Sequence, residues 1–261
     1  MRIAHRLPSW NGASFQTLCE KAAASGAHGV EIAPSDILPD PRELTLVQAA
    51  SLIRTARTFG LEIIAFHQIL SQPAWFNLLT PDPLLRRDTD KFLQHLIRIC
   101  GALDGQILIL DSPNARHISP RWNRNDSIQR AAELVHQSAD IAHQHGITIA
   151  IQPMPRSQTH FLNTAAETIA FCEQVDHPAC RLHLDLPSMH DEGKPLTDII
   201  RDSRGWLAHL HLGSSSPHPP QDDAIISALH EIHYPHWISH SSTKEKSTAA
   251  QPRQLQSIAQ H

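Results

Sequence analysis

Short apolar runs rich in β-branched residues alternate with longer stretches of helical period, and the alternation repeats about eight times along 261 residues. The runs are Ile3–Leu7, Gly29–Ile32, Leu61–His67, Gln106–Asp111, Ile147–Gln152, Cys180–Asp185, Leu207–Leu212 and His236–His240. Between them Phe92, Leu96, Ile99, Cys100 and Leu103 recur at three- and four-residue steps, as do Ile128, Ala131, Ala132, Val135 and Ala139. Each set is the one-sided stripe of a helix packed on a sheet. Thr45 with Gln48, and Thr164 with Glu167, have capping-box spacing. At roughly 33 residues per unit, the repetition predicts a (β/α)8 barrel, a fold of about 250 residues. A doubly wound open sheet is the alternative, but no GxGxxG loop follows any strand.

Pro34, Pro73, Pro113, Pro153, Pro187 and Pro217 follow soon after strand ends, where the chain must stop pairing and turn. They mark the βα loops, the face on which barrel enzymes carry their chemistry. The irregular stretch from His67 to about Arg86 is long enough to be a lid or binding loop. No linker or composition break divides the chain, so one domain over 1–261 is expected, with 242–261 a weakly ordered C-terminal segment.

Charge narrows the function classes. A net charge of −4 offers no basic face for nucleic acid. No apolar run approaches the ~18 residues of a membrane span. The opening MRIAHRLPSW lacks a secretory apolar segment, which reads as cytoplasmic. Cys19, Cys100, Cys172 and Cys180 form no CxxC pair and read as buried thiols. The unusual count is 20 His, which forecasts poor behaviour in acid.

Three polar residues end successive strands: Gln152, Asp185 and His211. Alternation along a strand puts His183 on the face of Asp185, and His209 on that of His211. In a barrel that face is the lumen. With Glu31 and His67 ending the second and third strands, the upper lumen becomes a pocket of oxygen and nitrogen donors. Such donors suit Mn²⁺, Mg²⁺, Co²⁺ or Zn²⁺. His183 and His209 lie deeper and read first as hydrogen-bonded core, with His183 also a substrate-contact candidate beside Glu31, His67 and Arg116.

The phrases GVEIAP, LDSPNAR (Leu110–Arg116), Asn163–Thr164, LDLPSM followed by Glu192–Gly193, and HLHLG resemble the sugar-phosphate isomerase/epimerase family. These are xylose isomerase-like TIM barrels, which include ketose 3-epimerases and relatives of endonuclease IV. The resemblance runs from the first strand to about Ser241. It implies a divalent metal held by Glu, Asp, His and Glu from strands five to eight, the two Glu also shuttling protons at sugar carbons. Carried over, Asp185 and His211 match the family Asp and His. Gln152 stands where the first Glu belongs, and Ser241 where the last belongs unless a one-residue shift turns His240 inward.

Both acid/base carboxylates are thus replaced. Asp185, His211 and Gln152 remain as candidate catalytic and metal-ligating residues, with one formal negative charge among them. The resemblance then implies one weakly bound divalent metal or none, a small sugar or polyol as partner, and a homo-oligomer. Two functions follow from it. One is isomerisation or epimerisation of a small ketose, polyol or sugar phosphate by proton transfer next to a carbonyl. The other is a sugar-binding pseudoenzyme. DNA repair is disfavoured by the missing ligands (Asp111 and Ser188 stand where histidines would be wanted) and by the negative charge.

Overall fold

In the structure, a computed structural model that describes residues 1–214 and 219–241, the eight strands close into a parallel barrel in sequence order. The segment 242–261, expected to be weakly ordered, lies outside the described residues. The strands are β1 Arg2–Arg6, β2 Gly29–Ile32, β3 Glu62–Phe66, β4 Ile107–Leu110, β5 Thr148–Ile151, β6 Cys180–Asp185, β7 Leu207–Ser214 and β8 Trp237–Ser241. The outer helices are α1 Phe15–Ala24, the short α2 Pro34–Ile37, α3 Leu46–Thr58, α4 Pro83–Ala102, α5 Arg124–Gln144, α6 Ala165–Val175, α7 Leu196–Asp202 and α8 Pro219–Glu231.

Local chemistry starts the helices where the sequence placed the signals. Thr45 and Gln48 form a full capping box before α3. Thr164 caps α6 by accepting the Glu167 N–H, while the Glu167 carboxylate turns to the N–H of Asn163 instead. The buried stripe of α4 (Phe92, Leu96, Ile99, Cys100) packs into the layer between sheet and helices. All four cysteines are buried free thiols. The stretch expected to be a lid or binding loop is packed down, with Ile69, Leu70, Phe76, Leu78 and Leu79 all buried.

Two strands break their own alternation. On β3, Ile63 and Phe66 both face the helix layer, whereas Ile64 and Ala65 join Ala4, Ile107, Ile109, Ala150 and Trp237 in the lumen cluster. The register confirms one extra residue: Val30 sits opposite Ile63, but Glu31 sits opposite Ala65. On β7, Leu207 and Leu210 share the helix-side core although they are three apart. Leu182 pairs with Leu207 and His183 with His209, leaving Ala208 extra. Each bulge re-aims the strand top.

The lumen floor is tight. A Cβ on Gly29 would stand 2.9 Å from Ile64 Cγ2 and 3.1 Å from the Glu62 carbonyl oxygen. Gly29→Ala is therefore expected to destabilise the fold by about 1–3 kcal/mol through overpacking. A urea midpoint that falls at unchanged slope is the measure, and an unmoved midpoint would contradict it.

Candidate functional site at the strand tops

Arg6, at the end of β1, is the charged centre of the upper lumen. Its Nε–H donates to Glu31 Oε2 at 2.8 Å, and Nη2 lies 3.4 Å from His183 Nε2. His183 Nδ1 faces His209 Nδ1 at 3.1 Å, and His209 Nε2 returns to within 2.9 Å of Glu31 Oε1, off the straight line a hydrogen bond prefers. The four side chains close a ring. Guanidinium only donates and carboxylate only accepts, so the ring assigns one tautomer to each imidazole. His183 accepts at Nε2 and donates from Nδ1; His209 accepts at Nδ1 and directs its Nε2–H at Glu31.

Charge follows this geometry. Burial pushes the Glu31 carboxyl up, but Arg6 and His209 outweigh it and hold the group well below the usual carboxylate range. Burial, with His209 and Arg6 alongside, drives His183 far below the usual imidazole value, so it is neutral. Glu31 and His183, expected as substrate contacts, stand in this ring beside Arg6 and His209. Both side chains are fully buried, and Glu31 Oε2 and both His183 ring nitrogens are engaged within the ring.

Above the ring lie groups with unused capacity. His67 is buried yet neither ring nitrogen has a partner, and burial together with Arg6 brings its pKa down to about 3. Gln152 is buried with Oε1 unpartnered. Asp111, directly after β4, accepts the Gln68 N–H at 2.6 Å. Its enclosure raises the carboxyl to about 6 despite Arg6. Sequence reasoning offered neither Arg6 nor Asp111 as a site residue.

Across the lumen, Asp185 Oδ1 is 2.5 Å from His211 Nδ1, and His211 Nε2 is 3.0 Å from Ser241 Oγ. Ser188 Oγ–H also donates to Asp185 Oδ2. Burial alone would raise Asp185, but His211, Arg6 and Ser188 bring it to about 2. Burial lowers His211 against the pull of Asp185. The question of the eighth strand is answered: Ser241 faces inward, while the His240 ring packs edge-on against His5 at 3.9 Å.

Arg116, expected as a substrate contact, is buried against the backbone. It is 1% exposed, and its guanidinium donates to the carbonyl oxygens of Gln152, at 2.6 Å, and Leu110. It clamps β4 to β5. A cavity of about 840 Å³ opens beside it between the loops after those strands, lined also by Trp122, Arg156 and His160. None of Arg6, His67, Asp185 and His211 lines that cavity.

The proposed metal ligands do not fit a metal. His211 Nδ1–H donates to Asp185 Oδ1 at 2.5 Å, His211 Nε2 faces Ser241 Oγ, and Gln152 adds a neutral amide. Among the described residues no group of three or more His, Cys, Asp or Glu is placed to hold a metal ion. The Arg6 guanidinium supplies positive charge beside Asp185 and His211.

Fold and site together define a (β/α)8 barrel whose polar centre lies at the C-terminal ends of its strands. The chain belongs to the xylose isomerase-like TIM barrel family, whose model matches residues 19–259. It is 27% identical over 210 residues to a D-psicose 3-epimerase of Ruminiclostridium cellulolyticum, spanning 80% of this chain and 69% of that protein. An L-ribulose 3-epimerase of Methylomonas sp. is 26% identical over 210 residues, spanning 79% and 68%. In structure, a D-psicose 3-epimerase from Clostridium cellulolyticum H10 superimposes with TM-score 0.80 at 22% identity, covering 100% of this chain and 96% of that one. A 3-keto-D-glucoside 4-epimerase from E. coli gives 0.77 at 14% identity, covering 99% and 97%. No described helix is long and apolar enough to cross a membrane.

Proposed function

We propose that the protein binds a small ketose or polyol in the strand-top pocket and moves a proton at the carbon next to its carbonyl, without a metal. The observation that carries the binding is the buried, unpartnered set of His67 Nδ1, His67 Nε2 and Gln152 Oε1. Leaving such atoms unsatisfied costs about 1–3 kcal/mol each, and hydroxyl groups, which both donate and accept, would satisfy them. The similarity to ketose 3-epimerases supports a sugar as the ligand.

Epimerisation removes a proton from one face of a carbon and returns it to the other. Asp111 tops β4; His211 and Ser241 top β7 and β8 on the far side of the eight-stranded ring. A carboxyl that titrates at about 6 is near the optimum for moving protons at neutral pH. Asp111 is assigned that role, and His211, held by Asp185, is the opposing group. Arg6 supplies the positive charge that favours a developing enediolate.

The experiment is NMR of D-psicose, D-fructose and L-ribulose in D2O containing EDTA, with calorimetry of the same sugars. Binding with deuterium exchange at C3 is expected, and Asp111→Asn should slow exchange by about 100-fold or more. The rival reading, sugar binding without turnover, draws on Gln152 and Ser241 standing where protonatable carboxylates are expected. Affinity without exchange would establish it, and no affinity for any of the sugars would overturn both.

A further inference from the structure

We infer that Ser241, His211 and Asp185 form a nucleophile relay that gives the protein a second activity, cleavage of carboxylic esters of small polyols through an acyl-Ser241 intermediate. The three residues lie on consecutive strands, Asp185 and Ser241 at the ends of β6 and β8 and His211 in the upper half of β7, and Asp185 is the direct register partner of His211. Asp185 Oδ1 holds His211 Nδ1 at 2.5 Å, and His211 Nε2 meets Ser241 Oγ at 3.0 Å. An ionised carboxylate only accepts, so the proton on the Asp185 side sits on Nδ1. That leaves Nε2 with its lone pair toward the hydroxyl. This is the connectivity by which a carboxylate-oriented imidazole activates a serine, a pattern recognised by geometry rather than by chain order.

Burial runs the right way. The carboxylate and imidazole are buried, whereas Ser241 is partly exposed at the strand end, where a substrate carbonyl can reach it. Arg6 is the register partner of Ser241 on the neighbouring strand β1, and its charge is felt at both His211 and Asp185. It is the cation available to a tetrahedral oxyanion.

In the reaction Ser241 Oγ bonds to the acyl carbon as its proton passes to His211 Nε2. The carbon–alkoxy bond breaks, and that proton leaves with the alcohol. Water, deprotonated by His211, then attacks the acyl-serine, releasing the carboxylic acid and restoring the hydroxyl. No oxidant, reductant or further co-reactant is required. The polyol as alcohol component rests on the sugar-binding reading above; the nucleophile does not.

Fluorophosphonate labelling of the full chain in EDTA, with peptide mass mapping, tests the relay. One adduct per chain at Ser241 is expected, absent in Ser241→Ala and slowed about 100-fold or more in His211→Ala. Ser241→Cys gives a test that does not depend on the alanine variants folding. Its thiol should react with iodoacetamide about tenfold faster than in the Ser241→Cys, His211→Gln double variant. Asp185 is a positioning residue, and Asp185→Asn should abolish the far-downfield imidazole N–H proton resonance of the 2.5 Å bond. Three results would each overturn the proposal: folded protein without an adduct at Ser241, labelling unaffected by His211→Ala, or a Ser241→Cys thiol whose reactivity is indifferent to His211. Calorimetric sugar binding, which needs no nucleophile, separates its failure from failure of the sugar-binding reading.

Discussion

Acidification from pH 7 to pH 5 is expected to remove about 5 kcal/mol of stability, enough to unfold much of the protein, with loss of near-UV circular dichroism as the signal. The cause is a set of imidazoles buried neutral. Burial brings His5 and His67 to about 3 and takes His183 well below its ordinary value. Unfolded, each titrates near 6.5. Below that pH the unfolded chain binds protons that the fold refuses, so stability falls with pH at about 1.4 kcal/mol per unit for each residue. Asp111 works the other way. Its folded value of about 6 lies above the unfolded one, so between about pH 6 and 4 the fold gains stability as this one group protonates. Glu31 and Asp185 are held low, and their contributions remain until about pH 4, below which they too are lost. A stability profile flat between pH 7 and 5 would refute the account. His67→Gln, which removes one titrating site, should make the slope shallower.

Glu31→Ala is expected to cost about 3–5 kcal/mol, read as a fall in the denaturation midpoint, because it strands Arg6 in the lumen. Glu31 is fully enclosed and the Arg6 side chain is 15% exposed, so water offers little replacement for the lost 2.8 Å bond. The same substitution opens the ring at His209 and leaves its Nε2–H without the carboxylate. The penalty belongs to the orphaned charge rather than to the pair. Arg6→Met combined with Glu31→Leu should therefore lose much less than Glu31→Ala alone. A cost below about 1 kcal/mol for the single variant would mean that water reaches the guanidinium, and the closed ring would have to be abandoned.

The barrel was legible because two periods compete along the chain and never blur: strand runs of a few residues against stripes such as Phe92–Leu96–Cys100. Strand ends fell within about two residues of their expected places. His67, Gln152, Asp185 and His211 were legible as strand-top residues for the same reason. Arg6 was not. An arginine closing a five-residue strand reads as a solvent-facing end, and only barrel closure, which sets β1 between β2 and β8, surrounds it with Glu31, Asp111 and Asp185. Asp111 was visible at its strand end, but its raised pKa depends on enclosure that no local pattern reveals. Arg116 was legible as a cation after the fourth strand, but not the carbonyls it donates to, which belong to Leu110 and to Gln152, 36 residues away. The loop after β3 was legible as a long irregular stretch, and its apolar residues from Ile69 to Leu79 are what anchor it to the barrel.

The extra residues on β3 and β7 give the pocket an unusual dependence on counting. Below Ile64 and Ala208 each strand keeps one parity; above them, as far as His67 on β3 and His211 on β7, it keeps the opposite one. Loss of one residue at either point would exchange inside for outside up to His67 on β3 or His211 on β7. It would turn imidazoles toward the helices and send leucines into the pocket while leaving the lower barrel in register. In this chain, insertions and deletions within two strands are thus changes of chemistry before they are changes of length, and substitution is the gentler route by which such a site can drift.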